Sequence, residues 1–196
     1  MIIPIYGYGE PVLRKVAMAV TPDYPNLKDI IANMYDTMYN AYGVGLAAPQ
    51  VGIAIRLFTI DTSPFSDDKD LSNEQQNQLK NFKKTFINAK ILKEEGEEWS
   101  FNEGCLSIPD VREDVFRKEQ ITIEYCEEDF VMKTEVYDGL IARVIQHEYD
   151  HIEGVLFTDH LSVLKKRLLT KRLSNISQGI VNVDYKMKFP AIKKGR

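Results

Sequence analysis

The run Gln146-His147-Glu148-Tyr149-Asp150-His151 constrains this chain more than any other stretch. It sits in a segment where Leu140, Ile141, Val144, Ile145 and Tyr149 recur at helical spacing, with Asp138 where an N-cap belongs. Gly154 suits the left-handed end of that helix. Residues four apart on a helix leave the same face one turn above each other, so His147 and His151 present two imidazoles to one point. Two nitrogens so placed can bind one divalent metal, and Glu148 between them can reach a water on that metal without being a ligand. The plain alternative is a helix with two solvated or packed histidines. Against it, the chain has only 3 histidines and this run uses two of them.

A catalytic site needs a third ligand and an open position. One class of zinc peptidases continues His-Glu-x-x-His-x-x-Gly-x-x-His; here Gly154 falls at the glycine, but Phe157 stands at the last position and cannot bind a metal. A second class uses a downstream Glu, and the only Glu after His151 is Glu153, aimed off the ligand face. Asp159, His160 and Asp184 remain open without a supporting pattern. The better candidate lies upstream, in the compact turn Glu103-Gly104-Cys105-Leu106-Ser107-Ile108-Pro109, where Cys105 can supply a thiolate. Cys126, in a strand with no motif around it, reads as a small buried hydrophobe. A further segment, Gly43-Val44-Gly45-Leu46-Ala47-Ala48-Pro49-Gln50, lets the backbone bend sharply and approach other chain closely, and Gln50 can donate amide hydrogens to a developing oxyanion.

The rest of the chain supports an α+β fold: small antiparallel sheets packed around the central metal-binding helix, with N-terminal and C-terminal helices. Asn26 to Tyr42 predicts a helix, ended by Gly43, and Ser162 to about Ser174 another. Strands are expected at Ile53–Ile60, Thr85–Leu92, Glu97–Phe101, Ile121–Cys126, Phe130–Tyr137 and Ile180–Phe189. Asp61 to Lys84 reads as an exposed polar insertion with a short helical turn. Residues 1–196 are expected to form one catalytic domain. No apolar run approaches the roughly 18 residues of a membrane helix, the N-terminus lacks the pattern of a signal peptide, and two cysteines do not make a disulfide scaffold. A cytoplasmic protein without membrane association, and a monomer, is the expectation. Net charge is −4, but residues 161–196 hold ten Lys or Arg and one acid, Asp184, behind an acidic body.

The three motif segments together resemble the signatures of peptide deformylase, Gly-x-Gly-Leu-Ala-Ala-x-Gln, Glu-Gly-Cys-Leu-Ser and Gln-His-Glu-x-Asp-His, in the family's order and without a substitution at the fixed positions. The resemblance runs from about Ile5 to Leu164; the polar insertion and the tail from Ser177 depart from the shortest members. It implies removal of the formyl group from the N-terminal formyl-methionine of newly made proteins. By matched position it gives Cys105, His147 and His151 as metal ligands, and Glu148 as general base and then acid. Gln50 and the backbone N–H of Leu106 would stabilise the oxyanion. Ferrous iron is the usual metal of the family, and zinc, nickel or cobalt suits the same donors. The rival readings are a metallopeptidase, whose metal would survive Cys105→Ser, and a structural metal site with a fourth protein ligand.

The methionine side chain needs an apolar slot, for which Val44, Gly45, Leu140 and Val144 are candidates, with Arg143 at the entrance binding peptide carbonyl groups. Glu103 and Asp150 are the acids available to accept the second N–H of the ligand imidazoles. A substrate that exists only on nascent chains suggests work beside the ribosome, and the basic tail from Leu161 onward has the charge to dock on RNA.

Overall fold

The alternation of Ile121, Ile123 and Tyr125 continues back through Val115 and Val111, and all five are buried on one strand. The computed structural model of the chain describes residues 1–191, so Lys193, Lys194 and Arg196 of the basic tail lie outside them. Two long strands, β4 (Lys83–Cys105) and β5 (Ile108–Cys126), form an antiparallel hairpin. With β2 (Gly45–Ala47), β3 (Leu57–Asp61) and β6 (Met132–Asp138) they make a five-stranded antiparallel sheet in the order β2-β3-β4-β5-β6. A second sheet pairs β1 (Ile5–Tyr6) with β7 (Met187–Lys188), and this pair is parallel rather than antiparallel. The segment at Met187–Lys188 thus runs alongside Ile5–Tyr6.

The strands expected at Thr85–Leu92 and Glu97–Phe101 are one strand. The charged run Lys93, Glu94, Glu95, Glu97 and Glu98 looks like a break in sequence, but it lies on a solvent-facing stretch of β4 where nothing must be buried. Register shifts between Ile91/Lys93 and Glu95/Glu98 absorb the irregularity. Of the expected strand Ile53–Ile60 only the part from Leu57 joins the sheet, and of Ile180–Phe189 only Met187–Lys188 is paired.

Among the described residues there are four α-helices: α1 (Leu27–Asn40), α2 (Asn73–Asn81), α3 (Gly139–Ile152) and α4 (Val163–Ser177). The polar insertion holds a nine-residue helix rather than a single turn, because Ser72 and Gln75 cap it reciprocally and Leu79 anchors it. In α3, Ala142, Ile145 and Ile152 pack against Phe58, Phe86 and Ile121 of the sheet. Each large side chain so buried contributes about 1.5–3 kcal/mol. The face of α1 formed by Leu27, Ile31, Met34 and Met38 meets Leu46, Leu57 and Ile87. Leu169, Leu173 and Ile176 of α4 cover Ile108, Val111 and Val115 of β5. Asp138 occupies the N-cap of α3 without a side-chain bond, and Gly154 beyond its end has φ +73°. Among the described residues no helix is long and apolar enough to cross a membrane.

At the end of α1 the left-handed residue is Tyr42, φ 56°, not Gly43. Gly43 serves a different need: a Cβ there would stand 2.8 Å from the Leu106 side chain, so its bareness lets the Cys105 turn close on the Gly43–Gln50 segment.

Candidate metal centre and active site

Cys105 ends β4 at the tight turn into β5, and that turn delivers its thiol to the face of α3 bearing His147 and His151. One donor atom from each of the three residues lies within 4.8 Å of the others. Cys105 Sγ is 3.3 Å from His151 Nε2, and His147 Nδ1 donates to Glu103 Oε2 at 2.9 Å, which leaves Nε2 for the site. Burial opposes ionisation of Cys105, but the neighbouring charge of His151 and hydrogen bonds from both imidazoles bring its pKa down to about 5. Burial likewise disfavours a charged His147, yet bonding to Cys105 and Glu103 raises its affinity for a proton well above the ordinary imidazole value. The negative charge that holds a proton there is of the sign that attracts a metal cation. Thiolate with two imidazoles suits divalent iron, zinc, nickel or cobalt. The buried Oε2 of Glu148, beside the three donors, finds no hydrogen-bond partner among the described residues, which fits a site built around a further group.

Glu148 is buried beside this trio, and burial raises its pKa to about 7 against the opposing charges of His147 and His151. Gly45 makes room for it: a Cβ at position 45 would stand 2.4 Å from Glu148 Oε1. Gln50 lies on the one-turn 3-10 helix Ala48–Val51, where its Oε1 accepts from the Ala47 N–H at 2.8 Å. That bond fixes the amide so that Nε2 points to Cys105 Sγ at 3.5 Å and to Ser107 Oγ at 3.3 Å. A carboxylate able to exchange protons near neutrality and a fixed amide donor thus face one point.

An open cavity of about 460 Å³ leads to that point, within the usual range for small-ligand sites. Val44, Gly45, Leu106 and Val144 line it. Leu140 is not among the described residues that do; it lies at the start of α3, nearly two turns before His147. Arg143 lines the cavity but does not offer its head to a peptide. Its guanidinium is 2% exposed, donates to Glu103 Oε1 and to the carbonyl groups of Val115 and Trp99, and stacks over the Trp99 ring. The entrance role expected of Arg143 is therefore corrected, because its charge is spent inside on Glu103.

Glu103 also accepts two bonds from Arg117, at 2.7 and 3.1 Å, and its pKa lies well below the usual carboxylate range: burial opposes this, but His147 and Arg117 outweigh it. Asp150 does not reach a ligand imidazole; it receives Arg117 and His160, each at 2.7 Å. Asp159 is occupied by Arg14 and the Leu156 N–H, and Asp184 lies exposed after α4, so neither joins the donor set. Glu153 pairs with Arg56. Arg117, a guanidinium at an inward position of β5, was legible only by extending the alternation of that strand; Val183 and Tyr185, which also line the cavity, carry no motif.

The family model described as polypeptide deformylase matches residues 2–167. A peptide deformylase of Flavobacterium johnsoniae is 76% identical over 196 residues, covering 100% of both chains. The crystal structure of the peptide deformylase from Thermus thermophilus superposes with a TM-score of 0.78 at 34% identity, over 91% of this chain and 99% of that one. That of Thermotoga maritima gives a TM-score of 0.71 at 39% identity, over 83% of this chain and 99% of that one.

Proposed function

The chain belongs to the polypeptide deformylase family, and on that premise we propose that it hydrolyses the formamide of N-terminal formyl-methionine on newly made chains, with Glu148 as its proton carrier. The observation that carries this reading is the convergence of Cys105, His147, His151, Glu148 and the Gln50 amide on one end of one cavity. Cys105, His147 and His151 would hold a divalent ion, ferrous iron by family habit, with zinc, nickel or cobalt fitting the same donors. Once bound, that ion supplies Lewis acidity, acidifying water and drawing off developing negative charge. Glu148 takes a proton from the attacking water as the new C–O bond forms. Gln50 Nε2 and the Leu106 N–H donate to the oxygen that gains charge at the formyl carbon. Glu148 then gives its proton to the departing amine as the C–N bond breaks, releasing formate and a free N-terminus. Val44 and Val144, with the bare backbone of Gly45, bound the slot for the methionine side chain, so Val44→Trp raises KM for formyl-Met peptides.

Work in the cytoplasm beside the ribosome follows from the substrate. Lys165 is tied to Glu113, and Lys166 to the Asp159 carbonyl, which leaves Arg167, Lys171 and Arg172 as the exposed cations of α4 for RNA phosphates. Reversing those three charges lowers co-sedimentation with ribosomes at low salt while activity on free peptide persists.

The decisive experiment is an anaerobic assay of formyl-Met peptide beside its unformylated form, with metal content measured in the same sample. Glu148→Ala is expected to keep its metal and lose nearly all turnover, since the residue acts on the transition state. A metal-loaded Glu148→Ala protein with full activity ends the proposal.

A further inference from the structure

After α4 the chain runs from Ile180 to Phe189 with a bend at Asp184–Tyr185, and its exposure alternates residue by residue. Asn182, Asp184, Lys186 and Lys188 face out, while Val181, Val183, Tyr185, Met187 and Phe189 are turned inward and half-buried. Only Met187–Lys188 pairs with another strand, where the Ile5 and Gly7 N–H groups donate to the Lys186 and Lys188 carbonyls, each at 2.8 Å. Phe189 lies so close over Gly7 that a Cβ at position 7 would stand 2.6 Å from its ring, and β7 pairs in parallel with β1. Anchored at that end, the segment places Val183 and Tyr185 in the wall of the active-site cavity. The Tyr185 hydroxyl donates to the Leu106 carbonyl at 2.9 Å, and burial pushes its pKa up, so it stays a neutral donor. The family match ends at residue 167, before this segment begins.

We infer that Val183 and Tyr185 form a substrate-recognition wall, which contacts the residues following formyl-methionine and prefers an apolar side chain there. The inference rests on the deformylase reading of the same site. Val183 and the ring of Tyr185 line the cavity from the C-terminal segment, whereas Val144, proposed for the methionine slot, lines it from α3. A longer peptide leaving the slot must pass this wall; a single formylated residue need not. Through its hydroxyl, Tyr185 also acts as a positioning residue for the Leu106 turn.

The test compares kcat and KM for formyl-Met amide and for formyl-Met-Leu-Leu amide, using metal-loaded full-length protein. Val183→Asp is expected to raise KM for the tripeptide at least fivefold, and to lower its kcat/KM relative to formyl-Met amide by a similar factor. Val183→Ala should give a smaller change in the same direction, and it keeps the test open if the aspartate variant does not fold. Tyr185→Phe is expected to lower kcat on both substrates severalfold with KM nearly unchanged. Asn182→Ala, on the outward row, serves as the control. Equal changes on both substrates, or none, in both Val183 variants overturn the wall while leaving the deformylase reading intact. Wild-type protein that deformylates neither substrate overturns the reading beneath it instead.

Discussion

Glu103 shows how one buried carboxylate can answer several cations: Arg117 and Arg143 reach it with charged forks and His147 with a ring N–H. Its substitution leaves the buried Arg143 without a carboxylate and Arg117 with Asp150 alone, which destabilises by about 3–5 kcal/mol. It also frees the orientation of a metal-binding imidazole, which weakens metal retention by about 10–100-fold. Glu103→Gln should therefore show both losses, the first in thermal melting and the second in chelator competition. Full metal affinity in that variant would remove the orienting role. Gly45→Ala probes the other side of the site. Its methyl would stand 2.4 Å from Glu148 Oε1, and overpacking of that kind costs about 1–3 kcal/mol. Because the displaced atom belongs to the proton carrier, kcat should fall about tenfold or more with metal content retained; a kcat within twofold of wild type would show that Glu148 moves aside freely. At this scale the sequence disclosed the groups that do chemistry, because their spacing is fixed by helix and turn geometry. It concealed their supports: Arg117 and Tyr185 meet the site only through tertiary packing, and nothing adjacent to them in sequence marks that contact.

At the scale of elements, α1, α3 and α4 were readable, α2 only as a short turn, and the long hairpin was not. Apolar periodicity marks α1 and α3 because each buries one face against the sheet, whereas the middle of β4 faces water on both sides and loses its alternation to Lys and Glu. Where β4, β5 and β6 regain a covered face, Lys84, Tyr125, Glu135 and Tyr137 join in one hydrogen-bonded cluster across three strands. Burial alone would raise the Glu135 pKa, but bonds from Lys84, Tyr125 and Tyr137 bring it down to about 2. The sign follows from the folded value lying below the unfolded one of about 4.3. Ionised Glu135 stabilises the sheet fully above that unfolded value, and this contribution disappears as pH falls through about 2. Glu135 is 37% exposed, so after discounting for solvent screening we expect about 1 kcal/mol at most, or about 2–4 °C in Tm. Glu135→Gln should melt lower than wild type at pH 7, and the gap should close between about pH 4.5 and 2. A gap independent of pH would assign the effect to packing of the glutamine instead.

Across the whole molecule, the donor set joins segments that are far apart in sequence: Cys105 comes from the end of the hairpin, His147 and His151 from α3. Gln50 and Gly45 arrive from the stretch after α1, whose own core is separate from that of α3. An ion bound by these donors cross-links sheet and helix, and unfolding must release it. Binding to the folded chain alone stabilises by RT ln(1 + [L]/Kd), about 2.7 kcal/mol when free metal stands at 100 times Kd. For a chain of 196 residues that corresponds to about 5–10 °C in Tm. Stripping the metal with a chelator should therefore lower Tm by that order, and titrating the ion back should raise it continuously with free concentration. Cys105→Ser, which removes the soft donor but little volume, should lose most of the metal-dependent increment while melting close to the stripped wild type. Equal melting of loaded and stripped protein, with loss of metal verified, would mean that the three donors hold no ion tightly enough to bridge the sheet and α3.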